Sequence, residues 1–99
     1  MRMFNPPHPG EILRDALDGL NMTVTDFATH LGVARSTVNR VLSGQAGISP
    51  DMSMRLSEAF GQSQPDIWLL MQADYDMWQV EQRAKQRARI KALKLKKAA

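Results

Sequence analysis

The stretch from residue 35 to residue 40 concentrates side chains that donate hydrogen bonds, and none of its residues is acidic. An arginine can form two parallel hydrogen bonds with guanine, and an asparagine can pair similarly with adenine. Serine and threonine hydroxyls suit phosphates or base edges. The residues that supply these groups are Arg35, Ser36, Thr37, Asn39 and Arg40. We therefore predict that they form a surface for the major groove of double-stranded DNA.

Two short predicted helices around a tight turn would position this surface. Thr23, three residues before Asp26, is typical of a helix start, since its hydroxyl can accept an unpaired N–H of the first turn. Gly32 ends this helix, because a residue without a Cβ takes a left-handed conformation at little cost. Apolar residues recur at helical spacing on both sides of the turn: Phe27, Ala28 and Leu31, then Val38, Val41 and Leu42. These signals predict a helix-turn-helix over about residues 23–44.

The alternative for residues 35–40 is the solvated face of an ordinary helical bundle. The combination of Ala28, Gly32 and Val38 with a tight turn argues against it, because this spacing is unusual in an ordinary helical hairpin. Ala28 must be small if the second helix crosses close over the first. We therefore favour the helix-turn-helix.

Three further helices are predicted around this pair. The first spans roughly Gly10–Leu20, with Pro9 in its first turn. Another starts with Ser49 as N-cap and Pro50 at its first position, and stops at Gly61. The last begins near Ser63 or Gln64. The apolar residues expected to face the core from the first and fourth helices are Ile12, Leu13, Ala16, Leu17, Leu20, Met52, Met54, Leu56, Ala59 and Phe60. The fold class is all-α, with five helices and no strand.

The last helix is apolar around much of its circumference. Trp68, Met71, Tyr75 and Trp78 share one face, while Leu70 and Met77 lie on another. The simpler interpretation is a core helix with some exposed apolar surface. We favour the interpretation that Trp68, Met71, Tyr75 and Trp78 meet another protein chain, since Trp, Tyr and Met are enriched at such contacts. A helix-turn-helix also usually acts as a dimer.

Composition excludes several classes of protein. The chain has 99 residues, enough for one small domain, and no cysteine, which excludes disulfides and thiolate metal sites. No apolar stretch is long enough to cross a membrane, and no secretion signal is visible, so we expect a cytoplasmic protein. Only His8 and His30 could act in acid–base chemistry near neutral pH, and neither belongs to a catalytic motif. We predict no enzyme activity, cofactor or metal, and for His8 at most a role in capping the first helix.

The net charge of +3 is divided unevenly along the chain. Residues 1–82 hold five arginines and all ten acids, a net charge of −5, whereas residues 83–99 hold eight basic residues and no acid. We expect a DNA-binding domain over residues 1–80 and a basic extension, helical or partly disordered, over residues 81–99. The last helix can continue into this extension, since Ala, Lys, Arg, Leu and Gln favour helix. The extension is open to three interpretations: a solvated end, a phosphate contact outside the half-site, or a segment that orders on a partner protein.

Three motifs resemble a known family. The spacing of Ala28, Gly32 and Val38 in a five-helix chain resembles the lambda-repressor-like (Xre-type) helix-turn-helix. The entry PPHPGEIL, over residues 6–13, and the segment SQPDIWLLMQADYD, over residues 63–76, resemble the HigA/VapI-type antitoxins of bacterial toxin–antitoxin modules. In the second segment the family pattern falls on Trp68, Gln72, Tyr75 and Asp76. The resemblance extends from about Pro6 to Val80.

The resemblance implies a small dimeric repressor that binds a palindromic operator in front of its own operon. It also implies a HigB-like toxin as partner, a ribosome-dependent mRNA endonuclease of RelE-like fold. By the motif, Arg35 and Ser36 fall at base-edge positions, and Thr23 falls at a backbone-phosphate position at a helix N-terminus. The remaining polar residues, Thr37, Asn39 and Arg40, fall at adjacent base- or phosphate-facing positions. Ala34 departs from the pattern, since a Ser or Thr cap is common there.

Two other functions stay open at this point. The chain could be an orphan regulator without a toxin. It could also be a protein-binding module that captures a toxin without binding specific DNA. The polar face over residues 35–40 argues against the second alternative.

Overall fold

The structure is a computed structural model that describes residues 5–95. Over that range it contains five helices and no strand, which confirms the predicted fold class. The helices are α1 (Pro9–Leu20), α2 (Val24–Leu31), α3 (Arg35–Leu42), α4 (Pro50–Ala59) and α5 (Ile67–Ala84). Helix α3 packs against α1 and α2, and α5 packs against α1 and α4. Arg2, Lys96 and Lys97 of the predicted charge division lie outside the described residues.

Side-chain caps start three of the helices where the sequence predicts them. Thr23 Oγ1 accepts the N–H of Asp26 at 3.1 Å, and Ser49 Oγ accepts that of Met52 at the same distance. At the start of α1, His8 Nδ1 accepts the N–H of Gly10 at 2.9 Å, which confirms the suggested capping role. Such caps pair N–H groups that have no partner inside the helix. The chain therefore enters α1, α2 and α4 at well-defined points.

One contiguous apolar core joins all five helices. Its centre includes Leu56, Leu13 and Val38, each at most 1% exposed. The aromatic rings of Phe27, Phe60 and Trp68 form a row, with centroids 5.7 Å and 5.6 Å apart. The other buried apolar residues are Leu17, Ala28, Leu31, Val41, Leu42, Ile48 and Met52. Every apolar position predicted for the helix-turn-helix is among them.

Two residues predicted to face the core are exposed instead. Leu20 is 57% exposed and Met54 is 53% exposed, so these two predictions are wrong. Leu20 is the last residue of α1 and therefore lies at the edge of the body. On α4 the buried positions include Ser53 and Ser57. An apolar pattern predicts that serines face solvent. These two serines can be buried because their hydroxyls donate hydrogen bonds to backbone carbonyl oxygens.

Helix α5 begins later than predicted, at Ile67 rather than near Ser63 or Gln64. The Ser53 hydroxyl explains the difference. It donates to the carbonyl of Pro65 at 2.7 Å and accepts the N–H of Leu69 at 3.1 Å. These bonds hold residues 63–66 in a turn, so Pro65 and Asp66 precede the helix.

Helix α5 continues past Trp78, as expected, and ends at Ala84. Residues 85–87 form a turn, and residues 88–95 are neither helix nor strand. Every residue from 85 to 95 is exposed. A short helix that packs on nothing is marginal in water, and the like charges of this segment destabilise it further. None of the described helices is both long and apolar enough for a membrane span.

Candidate nucleic-acid interface

Four of the five polar residues predicted on α3 share one exposed face. Arg35 and Asn39 are four residues apart, as are Ser36 and Arg40, and all four are exposed. At 3.6 residues per turn they occupy an arc of roughly 140°. Helix α3 contains no acidic residue. The arc thus presents guanidinium, amide and hydroxyl groups together, with no negative charge on the helix to oppose DNA phosphates.

Thr37 lies beside this face rather than on it. Its side chain is half-buried and borders a small cavity together with Ala46 and Ser49 of the loop between α3 and α4. This position suits a contact at the edge of the surface, such as a phosphate. Thr23 is exposed at the start of α2, where its hydroxyl accepts a backbone N–H. The hydroxyl proton can still be donated, so a phosphate contact is compatible with its capping role.

Ala34 precedes α3 without a side-chain cap, as the sequence indicated. Its backbone is extended, and its carbonyl accepts the N–H of Thr37 at 3.0 Å. Arg35 and Ser36, which begin the first turn of α3, are exposed, and no side chain caps this turn. A DNA phosphate is a suitable acceptor for the backbone N–H groups of such a turn.

The opposite face of α3 is held rigidly by the body. Val38, Val41 and Leu42 are buried. Gly10 of α1 lies directly against the carbonyls of Val41 and Leu42, so close that a Cβ at this position would clash with the Val41 oxygen. The N-terminus of α1 and the C-terminus of α3 are therefore in backbone contact, which fixes where α3 ends.

Arg55 fixes the turn between α2 and α3. Its Nη1 donates to the carbonyl of Leu31 at 2.7 Å, and its Nε donates to Asp51 at 2.8 Å. The Leu31 carbonyl lies at the C-terminus of α2, where carbonyls lack partners within the helix and a cation is favourable. Gly32 follows with φ of 76°. The guanidinium thus ties α4 to the turn that orients α3.

Gln72 of α5 holds the loop after α3. Its Oε1 accepts the N–H of Ile48 at 3.1 Å, and its Nε2 donates to Asp76 at 3.0 Å. The side chain is 6% exposed and lies against Gly47, where any larger residue would be crowded. Tyr75 meets the His8 ring edge-on, with centroids 4.9 Å apart. These contacts give a physical role to the residues that matched the family pattern only by sequence.

Gly10, Arg55 and Gln72 support α3, and none of them was predicted to do so. Gly10 gave a usable signal, since a glycine directly after Pro9 at a helix start suggests a close backbone approach. Arg55 gave none, and Gln72 gave only its place in the family pattern, because the partners of both are backbone groups 24 residues away in the chain.

The predicted partner surface on α5 needs a correction. Trp68 is 3% exposed, lies in the core of its own chain, and donates through Nε1 to Gln62 at 2.8 Å. Met71, Tyr75 and Trp78 are half-buried on the same side of the helix. We therefore remove Trp68 from the predicted surface. The residues exposed at the spacing i, i+3, i+7 and i+10 are Leu70, Ala73, Met77 and Val80, which we call the α5 stripe.

Comparison with known proteins decides between an ordinary helical bundle and a helix-turn-helix. Residues 13–68 match the HTH_3 family, described as helix-turn-helix. The chain belongs to the HTH_3 family. The matched range runs from the middle of α1 to the first turn of α5, so the HTH_3 match contains the whole α2–α3 unit and its supports on α4.

Relatives with a similar helix-turn-helix cover most of the chain. Virulence-associated protein A' of Dichelobacter nodosus is 42% identical over 89 residues, which are 90% of this chain and 77% of the relative. Antitoxin HigA of Pseudomonas aeruginosa, solved with the higBA promoter, is 37% identical with a TM-score of 0.74, over 82% of this chain and 89% of that one. Antitoxin GraA, solved with its operator, is 34% identical with a TM-score of 0.76, over 93% and 98%. The predicted relationship to HigA-type antitoxins is confirmed, and this family assignment agrees with a regulator rather than an enzyme.

Proposed function

We propose that this chain is a sequence-specific DNA-binding repressor of the HigA antitoxin type, acting as a homodimer on a palindromic operator in front of its own operon. The observation that carries the proposal is the α3 face of Arg35, Ser36, Asn39 and Arg40, which lacks acids and is held by backbone contacts on its other side. Solved relatives with operator DNA support it, since the HigA and GraA chains bind DNA with the same fold.

The proposed mechanism is insertion of α3 into the major groove. Arg35 and Ser36 lie at its N-terminal end, where a recognition helix contacts base edges. Asn39 and Arg40 continue the face by one turn, and Thr23 and Thr37 flank it as phosphate contacts. Two copies of the chain then contact half-sites about 34 Å apart, one turn of DNA. The site of action is the bacterial cytoplasm, where the operator is located.

The experiment that tests this function is an electrophoretic mobility shift with DNA from upstream of the chain's own gene. Scrambled DNA of equal length and composition is the control, at moderate salt. We expect a discrete complex that resists excess non-specific competitor. Only diffuse binding that disappears as salt rises would contradict sequence-specific recognition.

A HigB-like toxin is the second partner in the proposal, supported by the antitoxin relatives. If a neighbouring gene encodes a small RelE-like protein, co-expression with this chain should restore growth and yield a stable complex. An orphan regulator would bind the operator without such a complex. A capture module would show the opposite pattern, with toxin binding but no operator preference.

A further inference from the structure

The chain leaves the body at the end of α5 as an exposed basic segment. Residues 85–95 are all exposed. The side-chain hydrogen bonds described there are local: Lys85 Nζ donates to Gln82 at 3.3 Å, and Arg87 Nη1 donates to the carbonyl of Ala88 at 3.0 Å. No acid occurs between residues 82 and 99. The charge of this segment is therefore offered to solvent or to a partner.

The basic residues of the segment follow a strict period of two. Every odd position from 83 to 91 is Arg or Lys, and every even position from 84 to 92 is Ala, Gln or Ile. In a helix, successive odd positions would lie 200° apart and would spread around the axis. In an extended chain they all point to one side. Residues 88–95 are not helical in the structure, which permits such a one-sided arrangement at Arg89 and Lys91. Residues 83 and 84 end α5 and residues 85–87 form a turn, so the full row requires residues 83–87 to extend when a partner binds.

The row has a spacing that suits a phosphate backbone. Alternate residues of an extended chain lie roughly 6.6 Å apart, similar to the separation of successive phosphates along one strand of DNA. We call residues 83–91 the basic row. We choose duplex DNA as the polyanion because the α3 face is proposed to bind it. The acids of the body could also attract the row, but they are distributed over α1, α2, α4, α5 and the connection before α5, and they follow no single repeat.

A series of contacts links the middle of α5 to the end of α3. Tyr75 contacts His8, and His8 caps α1 at Gly10, which lies against the last carbonyls of α3. Ala84 follows Tyr75 by nine helical residues, roughly 13 Å at 1.5 Å per residue. The seven residues from 85 to 91 add a reach of at most about 23–25 Å. This reach is long enough for the row to contact DNA next to the half-site bound by α3.

We propose that residues 83–91 extend on binding and form a basic row that contacts the phosphates of one DNA strand beside the half-site occupied by α3. This inference rests on the proposed function for the choice of DNA as partner. The row would contribute to the DNA affinity and to its salt dependence, because phosphate contacts release counterions. The row would not contribute to sequence preference, because phosphate contacts do not distinguish bases.

The test uses two variants of the full chain. In the first, Lys85→Gln, Arg87→Gln, Arg89→Gln and Lys91→Gln remove four charges. In the second, Arg87→Ala, Ala88→Arg, Lys91→Ala and Ala92→Lys keep the net charge but break the period of two. Dissociation constants are measured over a range of salt concentrations. The DNA probes are a duplex from upstream of the chain's own gene, the same duplex without its flanks, and a scrambled duplex.

The slope of log K against log salt is negative, and we expect the glutamine variant to reduce its magnitude by about 0.9 for each phosphate that the row no longer neutralises. Its preference for the upstream duplex over the scrambled one should persist. Removing the flanks should weaken wild type but not this variant. The slope for the variant with shifted charges should lie between the slopes for wild type and the glutamine variant. A glutamine variant with the wild-type slope would overturn the proposal, and a shifted variant equal to wild type would overturn the one-sided row.

The outcome also separates this inference from the proposed function. If wild type shows no preference for the upstream duplex, the proposed function fails, and the salt slopes on scrambled DNA still test the row. If the variants change the sedimentation of the free protein and leave the DNA slopes intact, the row binds an acidic protein surface and the DNA assignment is wrong.

Discussion

We expect sequence recognition to depend most directly on Arg35. It is the first residue of α3, is exposed, and has no acid near it on the helix. We expect Arg35→Ala to cost about 1–3 kcal/mol of binding free energy on the preferred operator and to relax preference at one base pair, as for removal of a bidentate hydrogen bond to guanine. Titrations on operators that carry single base substitutions measure both effects.

Arg14→Ala is the matched control for this prediction. Arg14 is exposed on α1 and is not one of the residues of the α3 face, and its replacement removes the same charge from the body. It should leave base preference unchanged. Equal decreases in affinity for the two variants would mean that Arg35 acts only through charge, and its assignment to a base edge would be wrong.

Two glycines of α1 give opposite expectations for the same substitution. A Cβ at Gly10 would meet the backbone carbonyl of Val41, whereas nothing lies within 4 Å of a Cβ at Gly19. Gly10→Ala should destabilise the fold by about 1–3 kcal/mol, because a backbone group cannot move aside as a flexible side chain can. Gly19→Ala should stabilise it by about 0.5–1 kcal/mol, the usual gain of alanine over glycine in a helix.

Urea unfolding followed by circular dichroism measures both values. Gly10→Ala should also weaken operator binding, since α1 must withdraw from the end of α3, while Gly19→Ala should not. If both variants gain stability, the close contact between α1 and α3 is not a constraint on the fold.

The elements show which features a sequence pattern can predict. The caps, the α2–α3 turn and the apolar set Phe27, Ala28 and Leu31 follow from local chemistry and periodicity, and they were predicted correctly. The start of α5 was not, because Ser53 fixes it through the carbonyl of Pro65, 12 residues further along the chain. The supports of α3 were missed for the same reason, since hydrogen bonds to distant backbone groups leave no period in the sequence.

Helix α5 shows a second limit of sequence patterns. Two stripes with the same spacing run along it, one through Trp68 and one through Leu70. Periodicity alone does not show which of the two stripes faces a partner, and the larger aromatic residues favoured the stripe through Trp68 as the partner surface. Packing decides otherwise, because the row of rings with Phe60 draws Trp68 into the core. The face that remains exposed can only be assigned once the position of α4 is known.

At the scale of the whole molecule, the proposed functions of recognition, assembly and phosphate binding fall on separate surfaces. We expect base contacts from the α3 face, an apolar contact from the α5 stripe, and positive charge from residues 83–91. The body without this segment is acidic overall. We expect DNA to repel an acidic body except where α3 and the basic row face it, which would limit the orientations in which the chain binds. Under the proposed function, two copies match the two half-sites of a palindrome.

The α5 stripe is the surface that we expect to join the two copies. Leu70 is 47% exposed, Met77 42% and Val80 44%, and their spacing is that of a helix–helix seam. Met77→Lys would place a charge in that seam, and burying an unpaired charge is costly. Because Met77 is already exposed in the single chain, the fold itself should be retained.

Sedimentation should show a monomer at concentrations where wild type is a dimer, and operator binding should weaken because a monomer occupies one half-site only. Leu20→Lys, at a residue that is 57% exposed on α1, is the control and should remain a dimer. A Met77→Lys protein that sediments as wild type would place the dimer contact elsewhere on the molecule.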